Sequence, residues 1–280
     1  MKIRINGVDA DIQLETEKNV GEILYALDSW LNGTGHRLSG LIVDGEAANA
    51  NSMEACFSRS IDAVDTLDIT TSAIVELFAE SLLDTMQDID AYEAAGFEEK
   101  SLFAEQWKQS PQAILLAEQT PDLFDWAVKT FSGEGFNSQN FRLLLEERFR
   151  ELQDPAAEVS RIGPLIDEVC ARLEEFSLDV QTGKDARAAE TVRTFSGIAE
   201  KLFRVFNALK IQGFPVGEIA VENVSITAYI AEFSTALREL LAAYEQHDTV
   251  LVGDLTEYEM APRLRNLHAA VLNAITRREP

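Results

Sequence analysis

Residues 154–212 read DPAAEVSRIGPLIDEVCARLEEFSLDVQTGKDARAAETVRTFSGIAEKLFRVFNALKIQ, and this stretch decides the fold. In its first part Val159, Ile162, Ile166, Val169, Leu173, Phe176 and Val180 recur at spacings of 3 and 4. In its second part Val192, Phe195, Ala199, Leu202, Phe206 and Leu209 repeat the pattern. Each set lies on one stripe of a helix, as at a packed helix–helix seam. Asp154 and Pro155 suit the N-cap and first position of the first helix. Gly183 can take the left-handed conformation that ends it, and Asp185 can cap the second. The spacing predicts an antiparallel αα-hairpin with arms of roughly 40 Å at 1.5 Å per residue. Gly163-Pro164 interrupts the first arm while the 3–4 spacing continues, which predicts a kink or brief break.

A second hairpin is predicted to follow. Ile226, Ile230, Phe233, Leu237, Leu240 and Tyr244 mark one helix. A turn near His247-Asp248 leads to another carrying Leu251, Leu255, Met260, Leu264, Leu267, Val271 and Ile275, with Pro262 expected to kink it. Residues 154–280 thus read as tandem helical hairpins. Residues 73–153 read as an acidic region of shorter helices, joined to the hairpins in one all-α unit with no sheet. Ser72 or Thr71 is expected to cap its first helix and Gly96 to end it. Ser110-Pro111 and Thr120-Pro121 each read as N-cap and N1. Phe124, Trp126, Phe131 and Phe141 are expected to be mostly core, a minority serving an apolar groove for a partner helix.

Residues 1–72 change period. Ile3 and Ile5 alternate with polar residues, Asn6-Gly7 signals a type I′ turn, and Val8, Ala10, Ile12 and Leu14 resume one strand face. Val20, Ile23, Leu24, Leu27 and Leu31 mark a helix, with Thr16 and Asn19 as candidate caps and Gly33 and Gly35 ending it. Leu41-Ile42-Val43, the Asp44-Gly45 turn and Leu67–Thr70 complete the set. This order of hairpin, helix, strand, turn and strand resembles the β-grasp fold of ubiquitin-like and sulfur-carrier-like proteins. The fold class is therefore α+β: an N-terminal β-grasp domain followed by a larger all-α domain of long antiparallel helical hairpins. Sulfur carriers end in an exposed Gly-Gly. Here Thr70-Thr71-Ser72 runs on into a helix, so carrier chemistry is not carried over. The resemblance implies a compact sheet of a kind often used to bind proteins.

The chain of 280 residues carries a net charge of −24. A field of that sign repels phosphate backbones and anionic membrane surfaces, so no nucleic acid and no membrane are expected as partners. Residues 1–72 contribute −7, with 12 acidic and 5 basic side chains. The tail reverses sign at Arg263, Arg265, Arg277 and Arg278, as suits a helix C-terminus or a basic patch meeting an acidic surface. Cys56 and Cys170, the two cysteines, fall in different predicted domains and outside any CxxC pair. With no signal-peptide h-region at Met1-Lys2-Ile3-Arg4, a cytoplasmic location is expected.

The densest candidate site is Asp254, Glu257, Tyr258 and Glu259, within DLTEYEMAP at 254–262. This segment resembles one in helical bacterial proteins of uncharacterised function, a resemblance limited to it and the hairpin and implying no activity. Asp254 and Glu257 share a helix face, which would suit a metal. A di-metal bundle site, however, calls for Glu-x-x-His, which is absent. A solvated or partner-facing acidic face is the preferred reading. The loop Gly33-Thr34-Gly35-His36 follows a helix rather than preceding one, so it is read as a cap, not a phosphate loop. His36, His247 and His268 lie in no nucleophile motif. No cofactor is implied. The expectation is a non-enzymatic protein–protein interaction protein, adaptor or scaffold, acting on a protein partner or by self-association. The alternatives are an acidic export-type chaperone shielding a client and a carboxylate-based metal-dependent enzyme.

Overall fold

The computed structural model describes residues 1–12, 14, 16–31, 34–48, 52–134, 137–246 and 248–278. The expectations for Gly33 and His247 lie outside the described residues. The chain divides into two compact units, Met1–Leu145 and Glu146–Pro280.

The first unit opens with a mixed five-stranded sheet. Its strands are β1 (Lys2–Ile5), β2 (Val8–Asp9), β3 (His36–Val43), β4 (Glu46–Ala47) and β5 (Thr66–Ala73), in the order β2-β1-β5-β3-β4. β1 runs parallel to β5, and the other pairs are antiparallel. Helix α1 (Val20–Leu31) buries Val20, Ile23, Leu24, Leu27 and Leu31 against Ile3, Val43, Leu67 and Ile69. Asn19 caps it: its Oδ1 accepts from Glu22 N–H at 2.9 Å, while the Glu22 carboxylate accepts from Lys18 N–H at 2.6 Å. Both hairpin turns have positive φ at their central residues, 51° and 79° at Asn6-Gly7 and 51° and 85° at Asp44-Gly45, as a type I′ turn demands. Asp44 also accepts from the N–H groups of Asp65 and Thr66 at 2.8 and 2.9 Å. These bonds, the Thr66 one foremost, hold its pKa below the usual carboxylate range.

Three local expectations are corrected here. Of the strand expected over Val8–Leu14, β2 covers Val8–Asp9 among the described residues, with Ala10 N–H still donating to Ile3 O at 3.0 Å, and Val8 is 69% exposed. The strand expected at Leu41–Val43 spans His36–Val43, because β5 pairs with it along its length across a bulge between Leu38 and Gly40. A short helix, α2 (Met53–Phe57), carries no periodic signal long enough to be read.

Helix α3 (Ile74–Ala94) follows β5 directly. Its N-cap is Ala73, not Thr71 or Ser72, since those residues are still held in the ladder opposite Leu38 and Arg37. Gly96 does not end α3. It is the N-cap of α4 (Phe97–Trp107). Then come α5 (Pro111–Gln119) and α6 (Pro121–Phe131), each with Pro at its first position. Phe131 is fully buried and lies 5.0–5.5 Å, ring to ring, from Tyr92, Phe103 and Trp107. Phe141 is fully buried too, whereas Phe124 and Trp126 are half-buried.

Helix α7 (Ser138–Gln153) contributes its later residues to the second unit. There α8 (Pro155–Glu174) begins as expected, with Asp154 Oδ1 accepting from Ala157 N–H at 3.0 Å. It runs unbroken through Pro164, so the brief break does not occur. The first arm stops earlier than its apolar spacing implies. Glu175 separates α8 from α9 (Phe176–Gln181), which leaves about 30 Å of helix rather than 40 Å. Gly183 has φ 73°, the left-handed position expected of it. Helix α10 (Asp185–Ile211) is capped by Lys184, so Asp185 falls at the first helical position, near the positive end of the dipole.

A two-residue ribbon, β6 (Ala220–Val221) with β7 (Val224–Ser225), corrects the expectation of no sheet after residue 72. Glu222 and Asn223, at φ 50° and 68°, turn it. Then follow α11 (Ile226–Glu245), α12 (Thr249–Asp254), a π-helical turn over Leu255–Met260, and α13 (Ala261–Thr276). One core joins the stripes of α8, α10, α11 and α13. Tyr244, placed on the apolar stripe by spacing, is 44% exposed, and its neighbour Ala243 is buried instead.

Leu202 is 1% exposed, whereas Glu200 is exposed. Leu202→Asp puts an unpaired charge in the core and should cost at least about 3 kcal/mol. Glu200→Lys should cost less than about 0.5 kcal/mol. Thermal melts of the two variants read this directly, and equal melting would mean that the stripe does not face the core.

Candidate functional site

The last helix is drawn through an extra residue at the DLTEYEMAP segment. Ala261 N–H bonds Thr256 O, five residues back, immediately before Pro262, which has no N–H to donate. Instead of a kink by breakage, a wide turn carries the chain past the proline. Leu255, Thr256 and Met260 point inward, and the Thr256 hydroxyl donates to Gly253 O at 2.9 Å. The candidate residues take the outer side. Asp254 is exposed, Tyr258 is 66% exposed, and Glu257 and Glu259 are half-buried.

The four do not form one site. Glu259 accepts from Arg263 Nε at 2.7 Å, one turn on. Arg263 also approaches Glu232 at 3.5 Å and lies over the Tyr229 ring at 5.7 Å. Glu257, through its hydrogen bond to the phenol and its like charge, holds the Tyr258 pKa above the usual value, and Asp254 adds to this. What remains outward is a phenol between carboxylates. Among the described residues no group of three His, Cys, Asp or Glu is placed to hold a metal ion.

Charge converges elsewhere, at a place that sequence spacing did not single out. Glu151 on α7 and Glu158 on α8 are 3% and 2% exposed. Lys201 on α10 donates to Glu147 at 2.6 Å and lies 3.2 Å from Glu158 and 3.9 Å from Glu151. Arg204 grips Glu151 with both Nε and Nη2, at 2.9 and 3.1 Å. Arg148 approaches Glu151 at 3.5 Å, and Arg161 pairs with Glu158. The Lys201 ammonium thus sits among three carboxylates.

Burial pushes the Glu151 carboxyl up to about 7, against the pull of Arg148 and Lys201. For Glu158, burial acts in the same direction but the hydrogen bonds from Arg161 and Lys201 prevail and hold its pKa low. Lys201 is held high: the carboxylates Glu147 and Glu158 outweigh its desolvation. The signal available was Glu147 and Glu151 at i, i+4 on α7. On one helix that reads as a solvated face, and only the approach of α10 buries it.

Two other side chains bridge α8 and α13. His268 Nε2 donates to Val159 O at 2.8 Å, and a Cβ on Gly163 would lie 3.2 Å from its Cε1, so glycine leaves room for the ring. Cys170 Sγ donates to Ala261 O at 3.4 Å, and burial pushes its thiol up to about 11, far from a reactive thiolate.

Lys201→Met removes the shared cation and should cost about 3–5 kcal/mol, because buried carboxylates are left unpaired. The pH dependence has a definite sign. Folded Glu151 keeps its proton up to about pH 7, while its reference value is 4.5. The folded state therefore binds more protons in that window, and stability falls as pH rises through it. Glu158 acts oppositely, its contribution being lost as pH falls below the reference 4.5. Denaturant unfolding of the parent and Glu151→Gln across this range should give a parent-minus-variant difference that declines towards neutral pH. A difference that stays flat or rises would place the Glu151 pKa below the window.

Residues 1–73 match the family model described as the TP0873 N-terminal domain, and residues 158–270 match that of a domain of unknown function (DUF8042). A protein of Treponema pallidum (strain Nichols), titled "Uncharacterized protein", is 23% identical over 273 residues, which is 98% of this chain and 97% of its own length. No solved structure matches. The first match ends where β5 ends, at Ala73, and the second takes in Glu158, Lys201 and the π turn. The chain is thus similar to a bacterial protein along nearly its whole length, with its sheet and the later part of its helical body, residues 158–270, matched separately.

Proposed function

We propose that the protein is a non-enzymatic interaction protein, an adaptor or scaffold, that works through a protein partner or self-association and needs no cofactor. The observation that carries this reading is the outer side of the π turn. Tyr258 is 66% exposed there, beside exposed Asp254 and half-buried Glu257, on backbone held by buried Leu255, Thr256 and Met260. Tyrosine presented rigidly among charges is characteristic of interface anchors, and π turns occur often at functional positions. Glu151 and Glu158, by contrast, are buried beside their own cations.

The fold reading behind this proposal is a β-grasp-like start and two helical hairpins. The first is supported by strand order β2-β1-β5-β3-β4 with the central β1 and β5 parallel and α1 on one face. For the first of the two hairpins, support comes from ion pairs at the start of α8 and just past its end, both made to α10. Glu158, near the start of α8, meets Lys201, while Glu175, just past its end, meets Arg187 near the start of α10. No helix among the described residues is long and apolar enough to cross a membrane.

Asp254→Lys with Glu257→Lys should leave the circular-dichroism melt nearly intact, within about 0.5 kcal/mol per site. The same variant should lose captured partners from a native lysate, most visibly at low salt, where charges steer association. Unchanged capture would retire the cluster as a binding surface, and a collapsed melt would show it to be structural.

A further inference from the structure

A cleft of about 770 Å³ opens along one flank of α1, where the helix faces α2 and β3. Its apolar lining includes Leu24, Leu38 and the partly open Phe57, and Tyr25, 78% exposed, lines it too. Gly21 lets α2 approach: a Cβ there would lie 3.2 Å from Phe57 Cβ. The charged lining residues are Glu17, Glu22 and Asp28, and no described lysine, arginine or histidine is among the lining. An apolar lining beside charge of one sign is selective. An acidic segment would be repelled, and a purely basic one would leave the apolar lining wet. The open face of Tyr25 can receive a cation over its ring.

We propose that this cleft docks a basic, apolar peptide segment of a partner protein, with a large aliphatic or aromatic side chain against Leu24, Leu38 and Phe57 and lysine or arginine against Glu17, Glu22, Asp28 and the Tyr25 ring. The proposal rests on the interaction reading above and gives it a second surface, independent of the π turn.

The test uses the full chain and three short fluorescent synthetic peptides, read by anisotropy. One alternates Lys/Arg with Leu/Phe, one replaces its cations by Glu, and one keeps the cations but replaces Leu/Phe by Ser. The first should bind at least about tenfold more tightly than the others, and salt should weaken it. Tyr25→Ala with Asp28→Lys should lower its affinity by at least about tenfold with an unchanged melt. Should that pair disturb the melt, Asp28→Lys alone carries the same expectation in direction. Asp254→Lys with Glu257→Lys should leave the peptide bound. Equal binding of all three peptides, or full binding by the cleft variants, overturns the proposal. So does self-association of the parent that Tyr25→Ala abolishes, since a second copy would then be the occupant. If only the Asp254/Glu257 variant loses the peptide, the interaction reading stands and the cleft assignment fails. If no peptide binds, the cleft assignment fails, and lysate capture by the π turn decides the broader reading separately.

Discussion

Charge removed from water must be paired, and in this chain cations are scarce: 24 Lys and Arg against 48 Asp and Glu. The placement of Lys201 answers that constraint. Its ammonium sits between Glu147 and Glu158, within 4 Å of Glu151, where α7, α8 and α10 meet. Asp179, 2% exposed, is met in the same way by Lys184 and Arg187 beside the α9–α10 turn. The second unit thus assigns cations to its buried carboxylates at both ends of the α8–α10 seam. Removing a cation from either group would leave a buried carboxylate without its partner.

The same assignment shapes the surface. Cations engaged with buried acids cannot neutralise exposed ones, and the outer faces keep the negative balance. Against that background the exposed aromatic residues stand out, because a large apolar side chain in water gains nothing for folding. Tyr258 on the π turn and Tyr25 at the α1 cleft are both bordered by carboxylates. As proposed binding surfaces, the two would call for the same chemistry in a partner, apolar contact flanked by positive charge.

The prolines of the helical body are handled in a reciprocal way. Pro164 interrupts the bonding ladder of α8, and Pro262 that of the last helix. Close to each, a backbone carbonyl accepts from a side chain of the facing helix: Val159 O from His268, and Ala261 O from Cys170. Gly163 then has a reason that concerns packing rather than backbone freedom, since a methyl there would crowd the imidazole. The proline-bearing segments of α8 and α13 are therefore tied together by side-chain hydrogen bonds.

Local chemistry was readable without the fold. Asn6-Gly7 and Asp44-Gly45 turned as their residue types require, Asp154-Pro155 began a helix, and most of the 3–4 stripes of α8 and α10 became core, with Val192 and Phe206 only half-buried, because each depends on a few neighbouring residues. The length of β3, the displaced cap at Ala73 and the end of α8 at Glu174 were decided by strand pairing and helix contact across long separations. The candidate cluster at 254–259 was legible as acidic, but its division into an Arg263-bound Glu259 and an outward Tyr258 followed from the π turn, which no periodicity signals. The ionic group around Lys201 was least visible of all. Its members are ordinary surface charges on their own helices, and only bringing α7, α8 and α10 together removed the water from around them.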